Sequence, residues 1–234
     1  MSTEIDPESV HIGTLNEKAL HASLKDWYAE PDDVFEVALD GYFIDVVRED
    51  LLIEIQTRNF SAMKRKLFDL TERHRVRLVH PIAQQKWIIR TPKGGKGKET
   101  RRKSPKRGAI ENIFEELVAF PKLMTNPNFT LEVLLIHEEE VRKHDASKRG
   151  WRRKGWVTQE RRLIDVVDQR RFSTPEDMRI FIPDDLEEPF TTADLAEVLG
   201  KPRRLAQQIA YCLRGMGTIE MDGKKGNAIL YRRA

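Results

Sequence analysis

An α/β fold, in which helices flank a mixed β-sheet and a small helix–helix–hairpin domain follows, is predicted by three features of the 234-residue chain. Helical spacing and short β-like apolar runs alternate through the first 90 residues. A basic stretch rich in glycine breaks that pattern after Thr91. Residues 190–234 then carry a compact pattern of their own, two capped helices and a hairpin.

The elements follow in order. Thr14 to Tyr28 has helical spacing, with Leu20, Leu24 and Trp27 on one stripe, Glu17 one turn before Leu20, and Pro31 closing the helix. Val34–Leu39, Tyr42–Val47 and Leu51–Thr57 read as strands. Asn59 to Leu70 returns to helical spacing, with Phe60, Met63, Leu67 and Leu70 pointing inward. "RVRLVH" at 75–80 and "KWIIR" at 86–90 read as two more strands. "PKGGKGKETRRKSPKRG" at 92–108 holds eight basic residues against one acid and has no apolar face, which predicts a mobile loop. A helix over about 109–120 and a strand over about 130–136 complete the first domain. "ERRLIDVVDQRRF" fits neither helix nor strand firmly. Ser173 and Glu176 have capping-box spacing and predict a short helix. Thr191 with Asp194 opens the next helix, which ends at Gly200; Pro202 opens another, with Leu205, Ile209 and Leu213 on one stripe. "TIEM" and "AILY", joined by "DGKKGN", read as a hairpin. The expected domains are 1–172, a linker over 173–189, and 190–234.

Composition narrows the function classes. A hydrophobic content of 39% supports a sizeable core. No apolar run reaches the ~18 residues that suggest a membrane span, and "MSTEIDPESV" lacks signal-peptide character, so a cytoplasmic protein with no membrane partner is expected. Cys212 is the one cysteine, which excludes intrachain disulfides and thiolate metal clusters. Residues 190–234 carry eight Lys or Arg against four Asp or Glu, whereas residues 1–90 carry twelve against sixteen. Such asymmetry points to a polyanionic partner.

Two acids interrupt apolar strands in "GYFIDVVREDLLIEIQTRNF" (41–60). A tight turn at Glu49 and Asp50 puts Arg48 opposite Leu51 and hence Asp45 opposite Glu54, with Leu52, Glu54 and Gln56 on the polar side of their strand. Facing carboxylates, roughly 5 Å apart at Cβ, destabilise a sheet unless something compensates. A divalent cation does so: Mg²⁺ is often held by one or two carboxylates, with water and substrate phosphate completing its shell.

A helix bearing Glu17 in "TLNEKAL", a strand bearing Asp45 in "FIDVV", a strand bearing Glu54 and Gln56 in "IEIQT", and then a helix resembles the PD-(D/E)XK nuclease superfamily over about residues 11–90. The resemblance implies a restriction-endonuclease-like core. It also implies Mg²⁺, or Mn²⁺ in its place, held by Asp45, Glu54 and the carbonyl of Ile55, with Glu17 as accessory acid and phosphodiester hydrolysis as the reaction. Gln56 stands where the superfamily's commonest form has lysine; its amide can orient water but brings no charge, which Lys64 on the next helix could lend.

DNA is the expected partner. Arg101, Arg102 and Lys103 lie in the basic loop, and "SKRGWRRKGW" places Trp151 among Arg152, Arg153 and Lys154, suited to stacking and phosphate contact. Residues 190–234 resemble a winged helix-turn-helix domain. That implies Arg203, Arg204, Gln207 and Gln208 on a recognition helix and Lys224 and Lys225 at the wing tip. Oligomeric state stays open, a homodimer included. An inactive nuclease-like DNA-binding regulator, or a subunit whose winged helix binds protein, remain as rival readings.

Overall fold

A computed structural model describes residues 12–92, 97–145, 147 and 155–234, with residues 12–18 described by their backbone alone. The architecture is α/β, with a mixed sheet and helices. Helix α1 (Ile12–Tyr28) precedes strands β1 (Val34–Leu39), β2 (Tyr42–Arg48) and β3 (Leu51–Ile55), helix α2 (Phe60–Thr71), and strands β4 (Arg75–Arg90) and β5 (Thr100–Lys103). A single helical turn α3 (Phe114–Leu117) and long strands β6 (Phe129–His144) and β7 (Trp156–Phe172) follow. Helices α4 (Thr192–Val198) and α5 (Arg203–Met216) and strands β8 (Ile219–Lys225) and β9 (Ala228–Arg233) end the chain.

The main sheet runs β1-β2-β3-β4-β6-β7, with β5 added on β4, while β8 and β9 form a separate pair. Asp40 and Gly41, both at positive φ, form the tight turn that joins β1 to β2. β2 and β3 are antiparallel, but β3 and β4 are parallel, because α2 carries the chain back to the starting edge. Among the described residues no helix is long and apolar enough to cross a membrane.

The chain clusters into two compact units. One comprises Met1–Ala29, Ala83–Gly108 and Leu135–Asp168; the other comprises Glu30–Ile82, Ala109–Leu134 and Gln169–Ala234. In the second unit, Ile44, Val46, Ile53, Phe60, Leu67 and Leu78 are fully buried. The Phe60 ring stacks on Phe120 at 5.4 Å and meets the His80 ring edge-on at 4.9 Å. α4 begins with the expected capping box: Thr191 Oγ1 accepts from the backbone N–H groups of Ala193 and Asp194, while Thr191 N–H donates to Asp194 Oδ2 at 2.7 Å.

Several expectations need correction. The two strands expected at 75–80 and 86–90 are one 16-residue strand, β4, which runs through Pro81. Residues 100–103 of the expected loop pair with β4, Trp87 opposite Lys103. The helix expected over 109–120 is a 3₁₀ turn followed by the single turn α3. Phe120 leaves helical geometry there, as the residue before a proline tends to. "ERRLIDVVDQRRF" lies wholly in β7. The cap after 172 is Thr174 with Asp177, one residue later than expected, and it opens a 3₁₀ turn. On α1, Trp27 is half-exposed and Tyr28 takes the buried place.

In the first unit a polar network links β4, β6 and β7. Glu138, fully buried, pairs with Lys86 at 2.8 Å and Arg161 at 2.6 Å. Burial pushes the Glu140 carboxyl up, but hydrogen bonds from Arg142 and Thr158 and the Lys86 ammonium outweigh it and hold the group at about 2. A pKa below the ordinary 4.5 means stability that is present above 4.5 and lost as pH falls towards 2. Urea titrations from pH 5 down to pH 2 should therefore show wild type losing about 3 kcal/mol that Glu140→Gln does not lose.

Candidate active site

The β2–β3 hairpin determines where the two acids go. Its two-residue turn, with Glu49 at φ +52°, pairs Arg48 with Leu51, Val47 with Leu52 and Val46 with Ile53. The next step of that register sets Asp45 against Glu54. Both faces of β3 are covered: Leu52, Ile53, Glu54 and Ile55 are all buried, so the even-numbered side is not an open polar face. β3 lies between β2 and β4, and α2 crosses above it on the way to the parallel strand.

Glu54 is only 3% exposed, and Lys66 of α2 brings its ammonium to 2.6 Å from Glu54 Oε1. The contact is an ion pair by distance, without the alignment of a hydrogen bond, and Oε1 has no hydrogen-bond partner. The same ammonium donates to the Phe43 carbonyl on β2. Asp45 Oδ2 accepts from the backbone N–H of Ile55 at 2.8 Å. Burial pushes the Glu54 carboxyl up to about 7; the Asp45 charge pushes the same way and Lys66 opposes both. One carboxylate is thus fixed by a backbone donor, and its neighbour is held where burial favours the protonated form.

The remaining predicted residues are dispersed. The Gln56 amide reaches the Asn59 carbonyl at 3.4 Å, and the Gln56 carbonyl accepts from His80 Nδ1–H at 2.6 Å. Lys64 does not contact Glu54; it lines a cavity with Phe68, Tyr211 and Arg214. Positions two apart on a helix point about 200° apart, which is why Lys66 meets the acid and Lys64 does not. Glu17 is on α1, but its side chain is outside the described residues. Among the described residues no group of three or more His, Cys, Asp or Glu converges to hold a metal ion.

Of the residues expected to meet DNA, Arg101, Arg102 and Lys103 are exposed on β5. Arg101 lies over the Trp87 ring at 4.8 Å and pairs with Glu139 at 2.7 Å, and Lys103 lies 5.6 Å from the same ring. Trp151, Arg152, Arg153 and Lys154 are outside the described residues. Arg203, Arg204 and Gln207 are exposed on α5, Gln208 is half-buried, and Lys224 and Lys225 are exposed at the end of β8. The hairpin turn itself is Gly226 and Asn227. Lys66 is the residue that sequence reasoning missed; its one signal is its place beside the buried Leu67 at the edge of the inward stripe.

The model of the family described as "Domain of unknown function (DUF8091)" matches residues 18–173. The chain belongs to the DUF8091 family. The DUF8091 span contains Asp45, Glu54, Gln56 and Lys66 and ends before α4. An "Uncharacterized protein" of Treponema pallidum (strain Nichols) is 29% identical over 224 residues, covering 95% of this chain and 87% of that one. That similarity therefore continues beyond residue 173. No solved structure matches the chain.

A carboxyl raised from 4.5 to about 7 stabilises the fold below 4.5 and gives up that stability as pH rises through 7. In EDTA, wild type should lose on the order of 3 kcal/mol between pH 4.5 and pH 8 relative to Glu54→Gln, measured by urea unfolding at each pH.

Proposed function

We propose that this protein is a metal-dependent DNA nuclease whose active site is the Asp45–Glu54 pair on the β2–β3 hairpin, with Lys66 supplied by α2. The reading rests on one observation: two carboxyl groups face each other across a buried hairpin, and the helix that follows brings a lysine to one of them. Strand, strand, helix and parallel strand in that order suit a restriction-endonuclease-like core of PD-(D/E)XK type. Lys66 provides the positive charge that Gln56 lacks, from α2, ten residues further along the chain.

The donor set suits a hard cation. Glu54 is buried with Lys66 as its counter-charge, Asp45 stands opposite, and both acids offer oxygen rather than nitrogen or sulfur. Mg²⁺ or Mn²⁺ would be held by Asp45, Glu54 and the Ile55 carbonyl, with water and a phosphate oxygen filling the remaining positions. When bound, such an ion polarises a phosphoryl oxygen and lowers the pKa of a coordinated water. The chain's own part is to place the Lys66 ammonium beside the phosphate. DNA is engaged by residues 190–234 as a winged helix, with Arg203, Arg204 and Gln207 on the exposed start of α5 and Lys224 and Lys225 near the wing tip.

One observation favours a second reading, a DNA-binding regulator without hydrolytic activity: Lys66 already offsets the Glu54 charge, so the hairpin has an internal cation. Plasmid nicking separates the two. The nuclease reading expects cleavage that needs Mg²⁺ or Mn²⁺, stops in EDTA, and falls to background in Asp45→Asn and Glu54→Gln while DNA binding persists. Binding without cleavage under both metals would leave the regulator. Arg203→Ala with Arg204→Ala should weaken binding uniformly across sequences and lower the salt slope by about 2, read by titration at several salt concentrations.

A further inference from the structure

A second feature of the same compact unit lies away from the acid pair. A cavity of about 430 Å³ opens where α2, the 3₁₀ turn at Pro121–Thr125 and the last turns of α5 meet. Lys64 and Phe68 line it from α2, Pro121 and Lys122 from the turn, and Tyr211 and Arg214 from α5. Its volume is in the range of small-molecule sites.

The charge of the lining is one-sided. Lys64, Lys122 and Arg214 all reach the cavity, and among the described residues no Asp or Glu lines it. Nearby cations have acidic partners: Arg65 has Asp69, Lys66 has Glu54, and Lys201 has Glu111. Among the described residues, none of Lys64, Lys122 and Arg214 is in a salt bridge. Three like charges around one opening repel each other unless an anion joins them. Arg214 is also oriented, since its Nη1 donates to Met221 Sδ at 3.4 Å.

The aromatic residues are equally specific. Phe68 is 40% exposed and Tyr211 49% exposed, and among the described residues neither ring contacts another ring. Each therefore leaves a face open for a flat partner at a site that also gathers cations. The floor is tightly built. A Cβ on Gly215 would come within 3.1 Å of Pro121 Cγ, so glycine lets α5 approach the turn closely.

We infer that this cavity binds a nucleotide, with the phosphate held by Lys64, Lys122 and Arg214 and the base stacked on Tyr211 or Phe68. The inference goes beyond the nuclease reading and does not depend on it, because Lys64 and Lys66 leave α2 in different directions. A free nucleotide and the phosphorylated end of a single strand present the same chemistry.

Calorimetric titration of the full chain in EDTA tests the site, using AMP, adenosine, inorganic phosphate and a 5′-phosphorylated oligothymidylate. AMP or the oligonucleotide should bind at least about tenfold more tightly than adenosine or phosphate. Tyr211→Leu or Phe68→Leu should weaken binding at least about fivefold, the scale of one lost base–aromatic stack. Lys64→Ala with Lys122→Ala should weaken it further. All of these side chains are exposed, and unfolding midpoints would verify that each variant is folded. AMP alone binding identifies a free nucleotide; the oligonucleotide binding, or displacing AMP, identifies a strand end. The inference is overturned if neither probe binds at millimolar concentration, if both bind no better than phosphate, or if both aromatic variants bind like wild type.

Discussion

Two carboxyl groups set against each other across a tight hairpin form the constraint around which the rest of the second unit is arranged. Like charges opposite one another in an antiparallel pair are unfavourable, and burial makes them more so. The strand pairing cannot slip to relieve the strain. A shift of one residue would turn Ile53 and Ile55, both buried, to the other face and disrupt packing on both sides of β3. The conflict is instead met chemically. Asp45 takes a backbone donor from Ile55, Glu54 takes the Lys66 ammonium, and the Glu54 proton becomes labile near neutrality.

Helix α2 links this conflict to its surroundings. Its buried side, Phe60, Leu67 and Leu70, anchors it to the core. Its first backbone N–H is capped by Glu116 Oε2 at 2.9 Å, an acid placed where the helix dipole favours one. Lys66 and Asp69, three residues apart, leave from one side, Lys66 towards Glu54 and Asp69 to accept the Tyr42 hydroxyl of β2. Lys64 and Phe68, four residues apart and so on one face, go to the cavity beside α5. One rigid element thus positions a cation for the acids and two walls of a separate pocket.

Much of this was legible in the sequence where local rules decide the outcome. The register that opposes Asp45 to Glu54 follows from period-2 alternation and a two-residue turn at Glu49 and Asp50. The Thr191–Asp194 capping box follows from spacing alone. Lys66 was not legible, because α2 carries Lys64, Arg65 and Lys66 in succession and only the docking of the helix selects which one meets Glu54. The long strand β4 was hidden by Pro81, whose missing N–H argues against a strand interior until tertiary pairing overrides it. β7 was hidden by its composition. Charged residues occupy both of its faces, and some of the partners that satisfy them, Glu138 for Arg161 and Glu132 for Arg171, lie on β6.

The most direct test of the account is a Mn²⁺ titration of the metal-free protein at pH 8, followed by water-proton relaxation, on wild type, Asp45→Asn and Glu54→Gln. The account predicts saturable Mn²⁺ binding to wild type that is lost in both variants. Wild-type protein that leaves the relaxation of free Mn²⁺ unchanged, or variants that bind the ion as wild type does, would contradict it.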